Sequence, residues 1–290
     1  MQNETQFKKY KGIFFMVSSA FCFAMMNAFV RLSGDLPSVQ KSFFRNLVAC
    51  LFALLILAKD FKKPSYSKQT WGCLVLRSLF GTIGILCNFY AVDHLFLADA
   101  SILNKMSPFF AILCSIFLLK EKISAEKFLL VLGAFVGSLF VIKPSFQNAE
   151  FLPACLGLLG GFAAGLAYTF VRKLGTMGVK GPFIVFFFSA FSCLSVLPFL
   201  IFGYHPMTVK QLLFLLLAGL AASGGQFSIT AAYMHAPAKD ISIYDYSQIV
   251  FSSILGYFLF AQVPDAWSFL GYGIIICMAI LMFLKNRKNP

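Results

Sequence analysis

The sequence predicts an all-α membrane protein of ten transmembrane helices arranged as two inverted five-helix repeats, and three observations predict it. First, 59% of the 290 residues are hydrophobic and only 12% charged, which leaves too little polar surface for a water-soluble globule. Second, ten continuously apolar runs of roughly 17–25 residues each match a hydrocarbon core ~30 Å thick. Strands crossing a bilayer would show alternating segments of about ten residues instead. Third, a shift of 141 residues lays the first half on the second without a gap: Phe29-Val30-Arg31 meets Phe170-Val171-Arg172, His94 meets His235, and Asp99-Ala100-Ser101-Ile102 meets Asp240-Ile241-Ser242-Ile243. That period far exceeds the ~20–50 residues of solenoid repeats, so each copy is a multi-element unit. The copies take residues 1–145 and 150–290. Five helices per copy is an odd number, so the second copy enters the membrane in the opposite sense.

In chain order, the first run, 12–31, follows Lys8, Lys9 and Lys11 and carries Ala20, Ala24 and Ala28. It is too long for a signal-peptide core and ends in Phe29-Val30-Arg31 rather than small residues, so it reads as helix one. The second, 40–58, contains Phe43-Phe44-Arg45, and the third, 70–91, contains Arg77, Gly81, Gly84, Asn88 and Tyr90. The fourth, 99–119, opens at Asp99 and holds Asn104, Lys105 and Pro108; a proline there removes one backbone donor and displaces the Asn104 carbonyl, predicting a helix break. The fifth, 124–142, contains Gly133 and Gly137, and the sixth, 153–171, carries Gly157, Gly161 and Gly165 on one face, a small-residue stripe for close helix packing. The seventh and eighth runs are 182–202 and 211–234; the eighth contains Gly219, Ser223, Gly224, Gly225 and Gln226. The ninth, 241–262, carries Tyr244, Asp245, Tyr246 and Gln248 just inside Asp240, and the tenth is 266–284.

Charge sets the expected orientation. With the N-terminus in the cytoplasm, seventeen of the 24 Lys and Arg, Lys62 and Lys63 among them, fall on that side, four outside, Lys143 among them, and three within spans. The positive-inside rule therefore predicts a multi-pass protein of the cytoplasmic (inner) membrane with both termini cytoplasmic. The net charge of +13 then belongs to loops facing anionic lipid, and nucleic acid is not an expected partner. His94, His205 and His235 have no ligand-spaced companions, the eight cysteines never form C-x-x-C, and there is no P-loop. No metal or other cofactor is expected, and neither ATP hydrolysis nor enzymatic activity.

Two inverted five-helix units resemble the drug/metabolite transporter superfamily, in particular its EamA-type members. Ser107-Pro108-Phe109-Phe110-Ala111, Leu118-Leu119-Lys120-Glu121-Lys122-Ile123-Ser124 and Gly133 to Gly137 resemble that family's P-x-x-A and G-E-x-hydrophobic-S/T segments, and Phe43-Phe44-Arg45 is similar to its aromatic-Arg pair. The second copy departs from the pattern, with Gln262 where Glu121 stands and Ile249 where Pro108 stands. The resemblance implies secondary transport of a small solute by alternating access.

A charge inside a span costs ~2.5–3.5 kcal/mol even on the translocon scale, so Arg45, Arg77 and Lys105 are the sharpest candidates for function. Asp245 is the one acid placed inside a span; under the 141 shift it pairs with Asn104, and Tyr246 with Lys105. The expected solute site is Arg45, Arg77, Asn104, Lys105, Tyr244, Asp245 and Tyr246, beside the break at Pro108. Arg77 is expected on the cytoplasmic side of it, and Asp245 either pairs with Lys105 or Arg77 or carries a coupling proton. Three cations against one acid favour an anionic or zwitterionic small molecule. The alternatives left open are efflux of lipophilic cations, an intramembrane enzyme acting on lipids and a transport-inactive scaffold, in a monomer or homodimer.

Overall fold

The computed structural model describes residues 2–59, 66–94, 103–142, 151–261 and 263–288. The expectations placed on Lys62, Lys63, Asp99, Lys143 and Gln262 lie outside the described residues.

Among the described residues, ten helices of 13 residues or more follow one another, and there is no strand. They are α1 (Gln2–Leu32), α2 (Ser38–Ala58), α3 (Lys68–His94), α4 (Ser107–Leu119), α5 (Ala125–Ile142), α6 (Phe151–Thr176), α7 (Gly181–Phe202), α8 (Val209–His235), α9 (Ser247–Phe260) and α10 (Ala266–Lys288). A single helical turn, Ala238–Ile241, and a 3-10 segment, Ser242–Tyr246, precede α9. Helices α1, α2, α3, α6, α7, α8 and α10 are long and apolar enough to cross a membrane. The chain is a multi-pass, all-α membrane protein.

The duplication read in the sequence is also present in the backbone. α3 and α8 begin and end 141 residues apart, at Lys68 and Val209 and at His94 and His235. The helices before the last connection of each half stop on a left-handed residue, Lys120 (φ 54°) and Ala261 (φ 51°), again 141 apart. The helices interleave across the halves: α1 packs on α8 as α6 packs on α3, α1 on α9 as α6 on α4, and α2 on α8 as α7 on α3, while α2 pairs with α7 and α5 with α10. Exchanging the halves leaves that pattern unchanged, which is the mark of a two-fold axis. Individual contacts obey it too. A Cβ on Gly133 would meet Met278 Sδ at 2.7 Å, and a Cβ on Gly137, the mate of Met278, would meet Ile274, the mate of Gly133, at 2.9 Å. With five helices in each half, the axis lies in the plane of the membrane, as in inverted-repeat carriers.

The glycine stripe of α6 sets the position of α4. A Cβ at Gly161 would lie 2.6 Å from the Leu103 carbonyl oxygen, and one at Gly165 2.7 Å from the Ala111 nitrogen, so the two backbones touch. Lipid gives helices no hydrophobic reason to associate, and contact at this range supplies dispersion instead.

Two expectations change. Pro108 is not inside a helix displacing the Asn104 carbonyl: α4 begins at Ser107, with Pro108 in its first turn, and the break lies just before, at Lys105–Met106. Proline is tolerated there because first-turn amides have no intrahelical acceptor to lose. The ninth run is also not one helix. It is broken at Ser242–Tyr246 although Ile249 stands at the proline's equivalent position, so the interruption belongs to the repeat and not to the proline alone.

Candidate solute site

Both interruptions lie at one cavity of about 150 Å³, lined by Arg45 of α2, Arg77, Gly81 and Asn88 of α3, Asn104 and Lys105 before α4, Tyr168 of α6, Phe188 of α7, Asp245 of the second interruption and Gln248 in the first turn of α9. Five of the seven residues expected at the site therefore share it: Arg45, Arg77, Asn104, Lys105 and Asp245.

Lys105 is the centre of a polar knot between the halves. Its ammonium donates to Asp245 Oδ2 (2.9 Å), Gln248 Oε1 (2.8 Å) and the Asp245 carbonyl (3.4 Å). In return, the Tyr246 hydroxyl donates to the Lys105 carbonyl at 3.0 Å. Lys105 and Tyr246 are repeat mates, and a residue touches its own mate only close to the two-fold axis. The knot is thus at the middle of the bundle, and the broken helices supply its free backbone carbonyls. Of the two cations open to Asp245, Lys105 is the one in contact.

The arginines are arranged differently. Arg77 is 1% exposed, so it does not reach toward headgroups. Its guanidinium carbon is 3.7 Å from the centroid of the Phe188 ring, and its Nε and Nη1 have no hydrogen-bond partner. Gly81, one turn further along α3, makes the room: a Cβ there would lie 2.7 Å from Arg77 Nη1 and 2.8 Å from the Phe188 ring. The Arg45 guanidinium is 5.8 Å from the Phe23 ring centroid. Among the described residues, neither arginine forms an ion pair. With Lys105 and Asp245 cancelling, the cavity carries two uncompensated positive charges. Asn27, Asn88, Gln226 and Tyr168 complete a neutral polar lining.

Tyr246 and Tyr244 are placed elsewhere. Tyr246 is fully buried behind Lys105 and supports it. Tyr244 lines a separate apolar groove with Val17, Val250 and Ile275, and its hydroxyl is unpartnered, so it is not a contact of this cavity. The reason is the 3-10 geometry: at three residues per turn, consecutive side chains diverge by about a third of a circle, and Tyr244, Asp245 and Tyr246 point three ways. The aromatic shelves Phe188 and Phe23 were not expected, and nothing distinguishes them in sequence among 37 phenylalanines.

The cavity is lined by the C-terminal half of α1, from Phe23 to Asn27, and the middle of α3, from Arg77 to Phe89. The other end of the bundle is tied by ion pairs. Asp240, before α9, meets Lys9 of α1 at 3.6 Å and also Lys127 of α5. Arg172 of α6 meets Glu121 at 3.4 Å and the Met234 carbonyl at 3.1 Å.

Comparison with known proteins agrees with this architecture. The signature of the EamA-like transporter family matches twice, at residues 10–143 and 151–284. The pseudopaline exporter of Pseudomonas aeruginosa (strain UCBPP-PA14) is 32% identical over 280 residues, covering 96% of this chain and 97% of the exporter. A riboflavin transporter of Brucella anthropi is 24% identical, covering 93% of this chain and 98% of that protein. One solved crystal structure superposes with a TM-score of 0.81 at 13% identity, covering 94% of this chain and 98% of its own, a likeness of fold.

Proposed function

The chain belongs to the EamA-like transporter family, and from that premise we propose that it is a secondary transporter that carries a small anionic or zwitterionic solute across the cytoplasmic membrane by alternating access. In this reading the halves, residues 1–145 and 150–290, rock about the Lys105–Asp245 knot, with both termini cytoplasmic. The observation that carries it is the cavity on the axis, with Arg45 and Arg77 facing into it and no counter-charge beside them. A buried charge without a partner is expensive, and a solute anion supplies one. The relatives bear the names of chemically different solutes, so the preference for an anion rests on this chain's own arginines.

Asp245 has two roles open to it in transport, and the geometry favours pairing. Asp245→Asn separates them: a proton carrier loses pH-gradient-driven uptake but keeps solute exchange, whereas a structural partner of Lys105 loses both together. The proposal is tested in proteoliposomes by uptake and counterflow of pooled organic anions, amino acids, nucleosides and lipophilic cations, with and without a pH gradient. Accumulation of an anion or zwitterion is the expected result. Accumulation of lipophilic cations alone overturns the proposal.

A further inference from the structure

We infer that the solute of this cavity is a small dianion, and that it is held by cations of the first half alone. The inference rests on the reading of the cavity as the solute site and deepens it by counting charges and donors. Lys105 is unavailable to a solute: an ammonium has three donors, and all three are used, two of them on Asp245, whose carboxylate also cancels its charge. Arg45 and Arg77 are left. Arg77 Nε and Nη1 have no acceptor, at a position 1% exposed in the cavity wall. Two guanidinium groups present two forks, each matched to a carboxylate or phosphate edge. A monoanion leaves one of them uncompensated in a low-dielectric wall, and a zwitterion adds a third cation beside them.

The second half offers no equivalent. Under the 141 shift Arg45 corresponds to Phe186 and Arg77 to Ala218. The charge is therefore off the axis, on α2 and α3, while the second half closes the cavity with Gln226, Phe188 and Asp245, the partner of Lys105. Both short helices also begin beside this space, since Ser107 at the start of α4 and Gln248 at the start of α9 line it, and helix N-termini favour anions. A volume of about 150 Å³ holds on the order of ten water-sized positions, so the solute has on the order of ten non-hydrogen atoms. A short dicarboxylate and a small phosphate both satisfy these conditions.

The test is thermal unfolding of the purified full chain in detergent with succinate, 2-oxoglutarate, inorganic phosphate, butyrate or glycine. The expected result is stabilisation by at least one dianion at a concentration at least tenfold below that needed for butyrate or glycine. Succinate and 2-oxoglutarate acting without phosphate identifies two carboxylates, and phosphate acting alone identifies a phosphate solute. Arg77→Gln is expected to erase the ligand response while leaving the ligand-free protein at least as heat-resistant as before, because it removes an unpaired buried charge; a merely structural arginine lowers that temperature. Should that variant not fold, Arg45→Gln is read in the same way. Butyrate or glycine matching every dianion, or no response to any dianion, overturns the inference. Dianions that stabilise but do not cross proteoliposome membranes contradict the transport reading and leave the inference standing; transport of a monoanion or zwitterion does the reverse.

Discussion

Lys105 and Asp245 form a buried ion pair, and such pairs respond asymmetrically to substitution. Removing one partner leaves an uncompensated charge and typically costs about 3–5 kcal/mol, while removing both is close to neutral. Lys105→Met and Asp245→Asn are each expected to be destabilising by that order, and the double variant to recover most of the loss, as measured by thermal or denaturant unfolding in detergent. Gly81→Ala makes a second prediction at this scale. Its added methyl occupies the space of Arg77 Nη1, so the guanidinium is displaced from the Phe188 shelf and solute affinity falls at least tenfold with little change in secondary structure by circular dichroism. Arg45, Arg77 and Lys105 were legible because charge is rare in an apolar run. Phe188 was not, because an aromatic shelf is made by the approach of α7 to α3 and leaves no local mark. The direction of Tyr244 was hidden for a related reason: it depends on a 3-10 turn within a run whose hydropathy is continuous.

At the scale of elements, the two broken helices are what bring charge and free backbone to the centre. Pro108 signalled the first break, although it stands in the first turn after the break and not within a helix. Ile249 concealed the second, and the 141-residue correspondence with Asn104 and Lys105 marked the polar residues there but not the break. The left-handed stops at Lys120 and Ala261 are a shared structural feature with a measurable consequence. A non-glycine residue in this conformation costs roughly 1–2 kcal/mol, so Lys120→Gly and Ala261→Gly are each expected to raise stability by about 1 kcal/mol, seen as a higher unfolding temperature. Similar gains at both sites are expected because the stops are repeat mates. The stripe Gly157, Gly161 and Gly165 was readable as packing from spacing alone, whereas its partner, the broken segment before α4, required the structure.

Across the whole molecule, the inverted repeat makes the ends of the bundle comparable, and in charge they are unlike. The end near the N-terminus is tied by Lys9 and Lys127 to Asp240 and by Arg172 to Glu121. The repeat mates of those residues are Glu150 and Ser268 opposite Asp99, and Arg31 opposite Gln262. Those pairings are therefore not repeated position for position in the sequence, and in the proposed cycle the N-terminal end is the one these ion pairs hold closed. Glu121→Gln, which makes the first copy like the second, is expected to increase labelling of a cysteine placed at Lys239 by an impermeant thiol reagent supplied from the N-terminal side; unchanged labelling contradicts that account of the tie. The departure of Gln262 from Glu121 was visible in sequence, but its meaning depended on knowing which cations face Glu121 and Asp240. The measurement that bears most directly on the central claim is counterflow of an accumulated anionic solute in proteoliposomes holding the native protein or its Arg45→Gln or Arg77→Gln variant, with folding checked by gel filtration. The account predicts that each substitution abolishes flux in a correctly folded protein, and undiminished flux through both variants would contradict it.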